Sequence, residues 1–145
     1  MIVVDTTVLV YAVGAEHPLR EPSRAVVSAV ESGRLTASTT IEVIPEFCHV
    51  RARRRDRTDA AALARSYADL FAPLLIVDAG DLASGLDLYA RVDALGAFDA
   101  VLAATARRRG ADALVSADAA FAKIVDPHHL DPAAVGFIEA LDRLA

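Results

Sequence analysis

Short apolar runs alternate along this chain with longer stretches of helical period, and that alternation leaves few architectures open. Residues 2–4, Ile-Val-Val, form a buried-strand pattern that stops at Asp5. Thr6 and Thr7 then lead into an apolar stretch, 8–13, of short-helix character, broken by Gly14 and the His17-Pro18 loop. Pro22 suits the first turn of a helix that runs through 25–31 to Gly33. Residues 35–40 read as a second strand. A helix follows within 41–55, with Ile41, Ile44, Phe47, Cys48 and Val50 on its apolar side. Pro45 is tolerated only near a first turn, so the regular helix starts near Val43 or Ile44.

Thr58 suits the N-cap of a helix reaching Phe71, which Pro73 ends. Residues 74–77 read as a third strand, 81–91 as a helix, 98–109 as an alanine-rich helix closed by Gly110, and 113–115 as a fourth strand. Residues 118–123 form a short helix. Asp131-Pro132 looks like the start of a last helix through Leu144. Strands that alternate with helices build a parallel sheet covered on both faces. The expected fold is therefore α/β: three layers, α/β/α, around a parallel sheet of about four to five strands. No linker or repeat divides the 145 residues, so one domain over 1–145 is expected.

Four acids stand at related places in that scheme. Asp5 ends the first strand, where ligands of open parallel sheets collect. Glu46 lies in the third helical segment, Asp99 opens the alanine-rich helix, and Asp118 follows the last strong strand by three residues. Each alone reads equally well as a helix cap, a first-turn acid or a solvated side chain. Together they point to carboxylates converging at one sheet edge, an arrangement tolerated mainly around a divalent cation. Glu42 competes with Glu46 for the helix position, being one turn away. Thr6, Thr7 and Ser116 are hydroxyls beside the acids. Asp93, Asp112 and Asp126 fall in expected surface loops. His17, His49, His128 and His129 lack zinc spacing, with His128-His129 read as a loop pair.

Composition bounds the partners. A single cysteine, Cys48, rules out an intrachain disulfide and fits a reducing compartment. No signal peptide or membrane span is evident, so a cytoplasmic protein is expected. The net charge of −5 argues weakly against nucleic acid. It hides a basic cluster, Arg51, Arg53, Arg54, Arg55 and Arg57, which is either a solvated helix end or a phosphate-binding patch. No dinucleotide or phosphate-loop glycine motif occurs, nor a serine-hydrolase elbow. A HAD-like phosphatase needs a second acid where Thr7 stands. A receiver domain would have to use Asp78 and Lys123, leaving Asp5 without an acidic neighbour.

The opening Val4-Asp5-Thr6-Thr7-Val8-Leu9, the segment 40–47 with Glu46, Gly96-Ala97-Phe98-Asp99-Ala100 and Val115-Ser116-Ala117-Asp118-Ala119-Ala120-Phe121 resemble, in order and separation, the PIN-domain ribonucleases. More narrowly they resemble the VapC-type toxins of bacterial toxin–antitoxin pairs. The resemblance covers essentially the whole chain. It implies a compact α/β/α domain that binds Mg²⁺ or Mn²⁺ and cleaves RNA. It further implies a homodimer, silenced by a VapB-type antitoxin. By motif, Asp5, Asp99 and Asp118 become metal ligands and Glu46 the helix acid. Arg51, Arg53, Arg54 and Arg55 become candidate RNA contacts. A non-catalytic PIN-like module kept for partner binding is the alternative from another class.

Overall fold

The computed structural model describes residues 1–145. Its centre is a four-stranded sheet of order β2-β1-β3-β4, parallel throughout. The strands are β1 (Ile2–Val4), β2 (Ala37–Ser38), β3 (Ala113–Val115) and β4 (His128–Leu130). Seven helices flank them in an α/β/α arrangement: α1 (Thr6–Ala12), α2 (Arg20–Glu31), α3 (Val43–Ala52), α4 (Arg57–Leu70), α5 (Ala79–Arg91), α6 (Ala97–Arg108) and α7 (Phe137–Asp142). The central strands explain their own composition. All six residues of β1 and β3 are fully buried, which suits unbroken apolar runs covered on both faces.

Register sets the site. Val4 pairs with Val115, and Val115 with Leu130, so three strands end in step. The next residues, Asp5 and Ser116, therefore emerge side by side, tied by the Asp5 amide donating to the Val115 carbonyl.

Three expectations need correction. The strand expected at 74–77 reduces to one parallel bridge, Thr40 with Leu75, and Ile76 beyond it is 67% exposed. His128-His129 is no loop pair but the body of β4, whose strand character comes from pairing with β3 rather than from apolar content. His129 Nε2 lies 2.8 Å from the Ser116 carbonyl, and its ring packs near Phe121. Asp131-Pro132 does not open the last helix. Asp131 instead accepts a turn hydrogen bond from the Ala133 amide, and α7 begins only after Gly136, at φ 82°. Smaller shifts follow the caps: Asp56 rather than Thr58 caps α4, and Asp78 caps α5 through a reciprocal capping box with Asp81.

Two helix pairs frame the site. In α3–α4, Phe47 and Tyr67 meet edge to face at 5.0 Å. Burial pushes the Tyr67 hydroxyl up to about 12. In α5–α6 the backbones nearly touch: a Cβ on Gly85 would lie 2.6 Å from the Val101 Cα. The same pair is clamped at its other end. Asp81 is fully buried and accepts from Arg108 Nε at 2.7 Å and Arg109 Nη2 at 2.9 Å.

Candidate active site

Asp5 is 4% exposed and caps α1. Its Oδ2 accepts three hydrogen bonds: from the Thr7 amide at 3.2 Å, the Thr7 hydroxyl at 2.7 Å and the Ser116 hydroxyl at 2.8 Å. Its Oδ1 accepts none from the protein. The two hydroxyls are themselves oriented, because Thr7 Oγ1 accepts from the Ala117 amide and Ser116 Oγ from the Asp118 amide, both at 3.0 Å. Their protons go to Asp5, which fixes that carboxylate in one pose.

The other acids arrive from separate elements. Glu46 sits in the first turn of α3, where its Oε2 accepts from the Thr6 hydroxyl at 2.7 Å. Glu42 lines the same cleft and, like Glu46, is exposed, but its carboxylate accepts no hydrogen bond. The choice left open between the two is thus one of geometry: Thr6 holds Glu46. Asp118 uses Oδ1 to cap the 3-10 turn Ala119–Lys123, taking the Ala120 amide at 2.8 Å. Asp99, in the first turn of α6, accepts no protein hydrogen bond. Gly96 leaves it room, since a Cβ there would come within 2.9 Å of Asp99 Oδ2.

Caps and site are therefore one arrangement. Asp5 and Asp118 each spend one oxygen on a helix start and keep the other free. No Lys or Arg pairs with any of the four acids. The result is visible at Asp99, whose carboxyl is pushed up to about 6, first by burial and then by the charges of Asp5, Asp118 and Glu46. Asp99 faces a cleft of about 680 Å³. Asp5, Glu42 and Glu46 stand along it with the exposed apolar side chains of Leu82, Leu86 and Phe98.

The donor chemistry fits a hard divalent cation. The groups are all carboxylate oxygens, mutually repelling and without an internal counter-charge. No three of the acids, histidines and cysteines close around one point. The remaining candidates lie elsewhere. Asp93 and Asp126 are exposed, as expected, while Asp112 pairs with the N-terminal ammonium, which holds its carboxyl below the usual range. Asp78 is committed to the α5 cap and to Arg108 and Arg109, so it has no receiver-like role.

The arginine cluster divides. Arg51 is turned into the fold: its Nε donates to Asp59 at 2.7 Å and its Nη1 to the Val13 carbonyl at 3.2 Å. Arg53, Arg54, Arg55 and Arg57 are exposed and unpaired. Sequence reasoning gave Thr7 less weight than the structure does, although its place two residues after Asp5 is the spacing of an Asx turn.

Comparison with known proteins agrees with this geometry. The PIN domain family model matches residues 2–127. Ribonuclease VapC7 of Mycobacterium tuberculosis is 52% identical over 145 residues, covering 97% of this chain and 98% of that protein. Ribonuclease VapC23 of the same species is 34% identical over 76% of this chain and 86% of its own length. Ribonuclease VapC13, also from that species, is 29% identical over 83% of this chain and 92% of its own. With a parallel sheet that delivers Asp5 and Ser116 to one edge, and acids from α3, α6 and the 118 turn gathered there, the chain belongs to the PIN-domain family, among the VapC-type ribonucleases.

Proposed function

We propose that residues 1–145 work as one PIN domain, a Mg²⁺-dependent endoribonuclease in which Mn²⁺ substitutes, and that the chain is the toxin of a toxin–antitoxin pair. The observation that carries this reading is the set of four carboxylates, Asp5, Glu46, Asp99 and Asp118, with no cation partner and with oxygens that no protein donor reaches. The printed names of the relatives, each a ribonuclease VapC, support the same activity.

Asp5, Asp99 and Asp118 would hold the cation, Asp5 and Asp99 directly and Asp118 through water. When bound, the ion supplies Lewis-acid stabilisation of phosphoryl charge and makes water a stronger nucleophile at neutral pH. The chain's own residues do the rest. Thr7 and Ser116 keep Asp5 in one orientation. Thr6 aims Glu46, which takes a proton from the attacking water as its oxygen bonds to phosphorus. The P–O3′ bond breaks, and the 3′ oxygen leaves and is protonated from solvent. The products are a 5′-phosphate and a 3′-hydroxyl. Leu82, Leu86 and Phe98 give one side of the cleft an apolar wall that is open to solvent in the single chain.

Neutralisation by a VapB-type antitoxin follows from the same assignment. A homodimer is supported by an exposed apolar row on α5, Leu82, Leu86 and Tyr89, at i, i+4 and i+7. A cytoplasmic location is supported by the lone free cysteine and by the lack of any helix long and apolar enough to cross a membrane.

The deciding experiment is RNA cleavage by the purified chain and by Asp99→Asn, each with Mg²⁺, Mn²⁺ or EDTA, with product ends mapped. Metal-dependent cutting that disappears in the variant is the expected result. Equal cutting by both samples would trace the activity to a contaminant. A 2′,3′-cyclic phosphate would contradict the mechanism.

A further inference from the structure

The acid-lined cleft does not stop at α3. It shares Pro45 and His49 with a second groove, of about 520 Å³, that runs between α3 and α4. The two have opposite character. The cleft carries Asp5, Glu42, Glu46 and Asp99, whereas the groove has no carboxylate in its lining and carries Arg57 and Arg65. Both arginines are exposed, and neither has an ion-pair partner. Eight residues apart on α4, they fall on one face, separated by about 12 Å along the helix axis. The floor is apolar and mostly of small side chains, Cys48, Ala52, Ala61 and Ala64, with Ile44 and Pro45 at the α3 start.

Charge decides what fits. Arg53, Arg54 and Arg55 project from the adjoining turn, also without ion-pair partners, so this end of α3–α4 concentrates positive charge that Asp56 and Asp59 offset only in part. A polyanion relieves that repulsion and gains the entropy of released counterions. An apolar protein segment would meet Ile44 as the one large aliphatic side chain of a small-residue floor, and would leave the two guanidiniums without a counter-charge.

Resting on the nuclease reading above, we propose that the α3–α4 groove is the track for the RNA strand flanking the scissile phosphate. Arg57 and Arg65 contact its backbone phosphates, and His49 marks the crossing into the acid-lined cleft. Such contacts position the strand without reading its sequence.

The groove contains its own reporter, since Cys48 is the single cysteine of the chain. The test measures alkylation of Cys48 by iodoacetamide with and without a mixed-sequence single-stranded oligoribonucleotide, using Ca²⁺ in place of Mg²⁺ and confirming that the RNA stays intact. Binding of the same RNA is measured across salt concentrations for the wild type, for Arg57→Ala/Arg65→Ala and for the control Arg91→Ala/Arg143→Ala, with circular dichroism as the check on folding. The proposal expects bound RNA to shield Cys48. It expects the first double variant to bind about tenfold more weakly or worse, with a salt slope lower by about 1.4 for two lost single-strand contacts. The control should bind as wild type does. Wild-type RNA affinity in Arg57→Ala/Arg65→Ala overturns the proposal whatever Cys48 reports, and leaves the nuclease reading standing. Cys48 shielded by a co-expressed antitoxin but not by RNA assigns the groove to a protein and also overturns it. A wild-type chain that neither binds nor cuts RNA removes the nuclease reading itself.

Discussion

Two buried aspartates in this molecule are treated in opposite ways. Asp81, at the start of α5, is fully buried and meets two guanidiniums, from Arg108 and Arg109, besides the Asp78 amide. Asp5, at the end of β1, is 4% exposed and meets no cation; two hydroxyls and an amide hold one of its oxygens. The first carboxylate is compensated from within and fastens α5 to α6. The second is oriented but not neutralised, and three more acids gather near it. Burying a charge without a partner is costly. The fold accepts that cost only at the sheet edge, where the proposed cation would complete the arrangement.

The sharpest test of this contrast is to remove each charge. Asp5→Asn should lower RNA cleavage by more than the roughly 10–100-fold that loss of a supporting group costs, by removing the charge that would hold the cation, while folding survives. Initial rates at saturating Mg²⁺ measure it. Asp81→Asn should do the reverse. Stability should fall by about 2–3 kcal/mol in urea unfolding, less than for a sealed pair because the guanidiniums reach solvent, and added metal should not restore it. If Asp81→Asn abolished cleavage at full stability, the contrast would collapse.

Next in size is the layer that orients Asp5. Ser116→Ala should weaken metal affinity or activity by about 10–100-fold, with Ser116→Thr retaining most of it, because the loss is one of aim rather than of charge. Metal titrations of both variants, followed by thermal shift, separate these outcomes.

The smallest effect concerns Asp99 in metal-free protein. Its carboxyl titrates near 6 in the fold instead of the usual 3.8. The native state therefore holds its proton longer than the unfolded chain, and stability falls as pH rises through that window. Asp99→Asn should remove this slope. It should be more stable than wild type at neutral pH by about 1–2 kcal/mol, after discounting for solvent screening. Urea unfolding in EDTA from about pH 4 to about pH 7 is the measurement. A wild-type slope of the opposite sign would show that the neighbouring acids do not act on Asp99.

Legibility in the sequence followed the range of the interaction concerned. Residues 2–4 and 113–115 announced themselves because burial on both faces demands continuous apolar character. β4 did not, because His128 and His129 owe their extended form to β3 beside them. The stretch 74–77 has the composition of a strand but only one bridging neighbour. At the site, the acids were readable from their places after strands and at helix starts. Glu46 was preferred to Glu42 from its spacing after Thr40, but the contact that holds it, from Thr6 forty residues away, was not visible. Arg51 looked like its neighbours in the cluster, yet Asp59 across the α3–α4 turn captures it. Thr7 was visible as a hydroxyl but not as the donor that immobilises Asp5.

Gly85 carries a consequence for how the cleft keeps its width. Leu82 and Leu86 reach the cleft from α5, and Phe98 and Val101 from α6. The separation of those walls is set where Gly85 rests on Val101, against both its backbone and its Cγ2 methyl. Main chain does not change rotamer and a helical valine has one strongly preferred rotamer, so the contact works as a gauge block and not as a cushion. In a helix interior a glycine costs about 1 kcal/mol relative to alanine. Here the missing methyl is what gives the cleft a fixed calibre, and any side chain at position 85 would act as a wedge that resets it.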